Sequence, residues 1–237
     1  MTEANQSDRL SSGPLESGDF PEKLSARVVT PGRQPRLHGY DVEADLAQHY
    51  SPSEVAYLAI TGELPEPDAA AALDAVLVFA SPVSVACAPT HAAVSSQLCG
   101  ANSGATLGVA AIALAEQAQF LLCEHEELLK WLNAPTTAFP RQFQSMKSED
   151  RDAVERLVSA LSPSRLAVPA LSHEPAPDAA VIAVLHACGL RSSRQIEALL
   201  VWTRLPVVLA EAFAETEANF KNYPINLPRY EYEETAS

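Results

Sequence analysis

The stretch from Ser51 to Gly62 specifies a helix with both ends marked, and this pattern constrains what the rest of the chain can fold into. Ser51-Pro52-Ser53-Glu54 combines a capping serine, a proline in the first turn and an acidic residue at the positive end of the helix dipole. Val55, Leu58 and Ala59 are expected on one face, and Gly62 supplies the left-handed stop. Pro67 or Asp68 opens another helix to about Phe79. After it come an alanine-rich helical segment from Thr90 to Leu132, broken near Gly100–Gly104, and an amphipathic helix from Glu149 to Leu161. Two more helices follow, Asp178 to Cys188 and Ser192 to Phe220. The chain holds only nine glycines and 6% aromatics while alanine and leucine recur, which suits packed helices better than tight-turned sheets. An all-α fold is therefore predicted. Asp41 to His49 should form a first short helix. Arg27 to Arg36 reads as irregular or short-strand structure, and Asn133 to Lys147 reads as a loop because of Pro135 and Pro140. Residues 1–24 read as a mobile tail, and Asn222 to Glu234 as an extended one, since Pro224 and Pro228 disfavour helix.

Charge narrows the partners. The 237 residues carry a formal net charge of −14, with 47% hydrophobic and 19% charged residues. Such a chain folds, and its surface repels phosphate backbones and anionic headgroups, so neither nucleic acid nor a membrane is expected as a partner. A local basic pocket for one small anion remains compatible. Cys87, Cys99, Cys123 and Cys188 are widely spaced in apolar stretches, which reads as buried free thiols in a reducing compartment and no metal site. Met1 to Phe20 has no apolar core of a signal sequence, and Val76 to Cys87 is too short to span a bilayer. A cytoplasmic location is the expectation.

Several segments, taken in order, match one family. His38-Gly39-Tyr40-Asp41-Val42-Glu43 is similar to R-G-Y-x-I-E. Glu54-Val55-Ala56-Tyr57-Leu58 followed by Gly62-Glu63-Leu64-Pro65 is similar to E-V-A-Y-L-L-x-x-G-E-L-P. His91-Ala92-Ala93 resembles H-A-A-N-A-S, Pro177-Asp178-Ala179-Ala180-Val181 falls where N-V-D-F-Y-S-G would stand, and Trp202-Thr203-Arg204 resembles A-R-T-x-G-x-x-A-H. Asn226-Leu227-Pro228-Arg229-Tyr230-Glu231-Tyr232 resembles R-P-R-x-x-Y. Together they resemble the citrate synthase superfamily, in particular its short citryl-CoA lyase-like members.

The resemblance implies a helical large domain over residues 25–237, with a strongly reduced small domain at 116–170. It implies that His91 and Arg204 bind a substrate carboxylate, that Asp178 stands at the position of the base acting on an acyl-CoA methyl, and that Arg141 survives as a positive group. It further implies coenzyme A or an acyl-CoA as substrate, with no permanently bound cofactor. The implied partner is a second copy in a homodimer, or a citrate synthase-like paralogue in a hetero-oligomer, with Thr90 to Glu116 as interface. Plain readings stand beside these: Asp178 after Pro177 as a helix cap, and His91 as a helix-start histidine. Arg204 lies in an apolar run and needs a partner or a ligand.

The chain departs from the family at its proton-transfer residues. One histidine position falls near Gln119, and glutamine supplies no proton at neutral pH. A second falls in Thr137-Ala138-Phe139-Pro140-Arg141-Gln142, which holds no histidine. Each loss is expected to cost roughly 10²- to 10⁴-fold in rate. Three readings follow. The chain is a non-condensing subunit that still binds a carboxylate or acyl-CoA; or a lyase or acyltransferase with altered chemistry, in which Asp178 acts with Gln119 and Arg141; or a purely structural subunit.

Overall fold

The computed structural model describes residues 23–135 and 138–214. Most of the tail at 1–24, the part of the expected last helix after Ala214 and the segment Asn222 to Glu234 lie outside the described residues. The described chain begins with a small antiparallel sheet, β1 (Val29–Thr30), β2 (Arg36–Leu37) and β3 (Tyr40–Asp41), in which Val29 faces Leu37 and Arg36 faces Asp41. The β2–β3 turn, His38-Gly39, has positive φ at both residues, 47° and 89°, as a two-residue hairpin requires. Asp41 Oδ1 then accepts from the amides of Glu43 and Ala44 at 3.0 and 2.7 Å. This starts a wide helical turn, Val42–Leu46, that runs into α1 (Ala47–His49).

The helix α2 (Pro52–Thr61) carries the full reciprocal cap. The Ser51 amide donates to Glu54 Oε2 at 2.7 Å, the Glu54 amide donates to Ser51 Oγ at 3.3 Å, and Gly62 closes the helix at φ 86°. The buried face differs from the expected one. Tyr57 and Leu58 point inward while Ala59 is exposed, because the Tyr57 hydroxyl donates to the carbonyl of Cys188 at 2.9 Å.

The remaining helices are α3 (Pro67–Ala80), α4 (Ala88–Leu98), α5 (Ser103–Glu124), α6 (Glu126–Asn133), α7 (Ser148–Ala160), α8 (Pro177–Ala187) and α9 (Ser193–Ala214). The all-α architecture matches the expectation, with one further break at His125. There the ring Nδ1–H bonds the Leu121 carbonyl at 2.8 Å, and the ring stacks on Phe143 at 5.0 Å. Two cores hold the fold. The larger surrounds α8, whose residues Ala179 to His186 are all buried, and joins it to α2, α3, α6, α7 and the first half of α9. The smaller lies between α4, α5 and α9 around Ala93, Ala110, Leu114, Val208 and Ala212.

Two features of this bundle bear on the site. Pro206 sits inside α9 and cannot donate to the Trp202 carbonyl. The turn beside it is bolted to α3: Thr203 Oγ1 donates to Leu77 O at 2.9 Å and Arg204 Nε to Ala80 O at 3.0 Å. The second feature is α5. Its 22 residues include an 18-residue window of mean hydropathy 1.5, long and apolar enough to cross a membrane by length and composition, which the sequence reading overlooked. Ala110 and Leu114 anchor it in the core with α4 and α9, yet only 28% of its most apolar window is buried. Leu107, Val109, Ile112 and Phe120 stay exposed, and so do Cys99 and Cys123, so that of the four thiols expected inside only Cys188 is buried.

Candidate functional site

Arg204 is the centre of the first candidate site. Its helix neighbours are apolar, so the guanidinium is largely desolvated, and burial pulls its pKa below the ordinary value. The negative charges that Asp178 and Cys87 can carry oppose that pull, Asp178 more strongly, which brings α8 and the start of α4 into electrostatic reach of Arg204. The Arg204 Nε–H satisfies the last carbonyl of α3, an orphan acceptor at the negative end of that helix. Among the described residues no carboxylate lies within ion-pair distance of the guanidinium.

Asp178 is exposed and sits in the first turn of α8. The capping position belongs to Ala176, and no side-chain cap bond is made there. The carboxylate is thus favoured by the helix dipole without being used as a cap. His91 lies in the first turn of α4, partly buried, its amide bonded to the Cys87 carbonyl at 2.9 Å. Arg141 is exposed on a short 3-10 turn, Arg141–Phe143. Its loop is tied to the segment before α8: the Ser145 amide donates to Glu174 O at 2.8 Å and the Ala176 amide to Phe143 O at 2.7 Å. The backbone therefore delivers Arg141 close to the start of α8. Gln119 is placed differently. It is exposed on α5, on the outward stripe that also carries Ile112, Glu116 and Cys123, and no hydrogen bond joins it to Asp178 or Arg204.

The fold thus gathers Arg204, Asp178 and Cys87 about the ends of α3, α4 and α8, with His91 one turn into α4. Solved structures of similar shape handle citrate-type substrates. The chain superposes on citryl-CoA lyase from Hydrogenobacter thermophilus with a TM-score of 0.59 at 15% identity, covering 89% of this chain and 97% of that one. The chain has the citryl-CoA lyase fold. ATP citrate lyase of Methanosaeta concilii (D541A mutant), in complex with (3S)-citryl-CoA, matches at 0.58 and 12% identity over 89% of the chain. ATP citrate lyase from Methanothrix soehngenii, in complex with citrate and coenzyme A, matches at 0.59 and 12% over 97%. The chain spans less than half the length of these two enzymes, 42% and 46%. No protein-family model and no curated protein sequence matches the chain.

A second polar cluster escaped the sequence reading. His186 is only 4% exposed near the end of α8, and its Nε2 lies 3.1 Å from Asn133 Oδ1. Burial, and next the charge of Arg191, lower its pKa from 6.5 to about 4. The available signal was one histidine in the apolar run Ala183-Val184-Leu185-His186-Ala187-Cys188.

Proposed function

We propose that the chain binds a carboxylate-bearing ligand of the citrate or citryl-CoA type through Arg204, with Asp178 and His91 completing the site, and that it does so without condensing acetyl-CoA. The observation carrying this reading is Arg204: a desolvated cation that uses one N–H on a backbone carbonyl, has no carboxylate in ion-pair reach among the described residues, and leaves its outer fork for a planar anion. Gln119, which the resemblance sets in place of one family histidine, supports the non-condensing part, because glutamine supplies no proton at neutral pH. Citrate and coenzyme A, added separately and together, should raise the melting temperature, and Arg204→Ala should remove the citrate-dependent part. A melting curve indifferent to both ligands would overturn the reading and leave a structural subunit.

One observation favours a second reading, C–C cleavage of a citryl-CoA-type substrate. Asp178 is exposed and uncommitted to capping, and the chain covers nearly all of a citryl-CoA lyase, so shortness is no argument for lost activity. In this reading Asp178 is the acid–base residue and Arg141 stabilises developing negative charge. Purified protein should then release acetyl-CoA from (3S)-citryl-CoA, and Asp178→Asn should stop the release. The exposed stripe of α5 supports self-association, with a second copy or a paralogue covering Val109, Ile112 and Phe120.

A further inference from the structure

The cluster around His186 stands at the far end of α8 from Asp178, about 12 Å along the helix axis. It borders a half-open cavity of about 240 Å³, lined by Trp131 and Leu132 of α6, by Val168 from the loop before α8, by Ala183 and Ala187 of α8, and by Arg191. The hydrogen-bond pattern fixes the chemistry of its polar wall. Asn133 Nδ2 donates to Leu129 O at 2.9 Å, which leaves Oδ1 as the acceptor facing His186 Nε2 at 3.1 Å. Nε2 therefore carries the ring hydrogen and Nδ1 keeps a lone pair. Arg191 Nη1 lies 3.0 Å from Nδ1 and 3.1 Å from Nε2. A single nitrogen that close to both cannot lie in the ring plane. The guanidinium stands over the imidazole face, a contact a neutral ring accepts and a protonated one repels. The depressed pKa of His186 agrees with this arrangement.

Arg191 is thus held over a neutral ring at the cavity mouth, in a chain of net charge −14, with no carboxylate of the described residues in ion-pair reach. Its remaining N–H groups form a planar fork suited to a carboxylate. Behind it the walls are alanine, valine, proline, leucine and the Trp131 indole, with room exceeding the roughly 150 Å³ that accommodates benzene in an engineered cavity. We infer that this cavity is a binding site for a small monocarboxylate with a compact apolar body, the carboxylate paired with Arg191 and the body seated against Trp131, Val168, Ala183 and Ala187. A dicarboxylate would have to bury its second charge among alanines and is disfavoured. The site is separate from the one organised by Arg204.

Titration calorimetry of the full chain with phenylacetate and 4-methylpentanoate tests this, with phenylacetamide as the uncharged isostere. Phenylacetate should bind and phenylacetamide should bind at least about tenfold more weakly, the share a charge-assisted fork contributes. Arg191→Gln should weaken phenylacetate by a similar factor. Ala187→Leu, which fills the cavity from a half-buried position, should abolish binding while leaving the unfolding transition in place. Arg204→Ala should still bind phenylacetate, so failure of this site and failure of the citrate-type site are read separately. No heat with either carboxylate, equal binding of the amide, or an unchanged constant in Arg191→Gln would overturn the inference. So would AMP binding in place of phenylacetate and lost in Arg191→Gln, since that would define a nucleotide site.

Discussion

Acid should weaken this protein through one residue well before general acid denaturation sets in. His186 is held neutral in the folded chain because its ring is buried and Arg191 stands over it, so its pKa falls from 6.5 to about 4. In the unfolded chain the ring takes a proton below 6.5. Between those values the unfolded state binds more protons, so stability is fully present above 6.5 and is lost as pH falls toward 4. The whole shift is worth about 3 kcal/mol at about 1.4 kcal/mol per pH unit. Working above the isoelectric point of about 4.8 keeps the protein charged, and a drop from about pH 7.5 to about pH 5.5 should already remove about 1.4 kcal/mol. The assay is urea unfolding followed by tryptophan fluorescence at both pH values, for the wild type and for His186→Gln. The variant starts less stable at neutral pH, having lost a buried hydrogen-bonded ring, but its stability should be about 1.4 kcal/mol less sensitive to this pH change. Equal pH dependence in the two proteins would refute the argument, because the titrating group would then lie elsewhere.

Two further outcomes follow from packing. Gly189 has φ 108°, and a methyl group there would run into the Tyr57 hydroxyl. Gly189→Ala should therefore cost about 3 kcal/mol in chemical denaturation, combining left-handed strain with loss of the Tyr57–Cys188 bond; in a Tyr57→Phe background the added cost should shrink, and strict additivity would argue against the clash. Ile112 is 68% exposed at the centre of the apolar stripe of α5, so Ile112→Lys should lower the mass measured by light scattering to that of one chain, and a wild-type chain already monomeric at high concentration would rule out self-association through this face.

What could be read in the sequence divides by the range of the interactions involved. Ser51, Glu54 and Gly62 act within one or two turns, and their cap and stop are found where the residue types place them. Which way α2 faces is set by a bond from Tyr57 to a carbonyl 131 residues later, and periodicity in a short helix cannot see that partner. The hairpin at Val29–Asp41 was readable only as irregular or short-strand structure, with no pairing, because β1 and β2 are two residues each. The break at His125 likewise depends on Phe143, which arrives from the loop. The two sites show the same division. Asp178 and Arg204 could be picked out because a family resemblance marks their positions, but their mutual influence arises from the way α9 is bolted to the end of α3. His186 and Arg191 carry no such mark, and the former looks like a stray polar residue until Asn133 is brought against it from 53 residues away. The double use proposed for Arg204 also governs how its variants must be read. Because its Nε–H satisfies the Ala80 carbonyl, Arg204→Ala removes a helix-end bond as well as the proposed ligand fork, and should lower the melting temperature of the unliganded chain. Only the further loss of the citrate-dependent shift, measured against that lowered baseline, reports on binding.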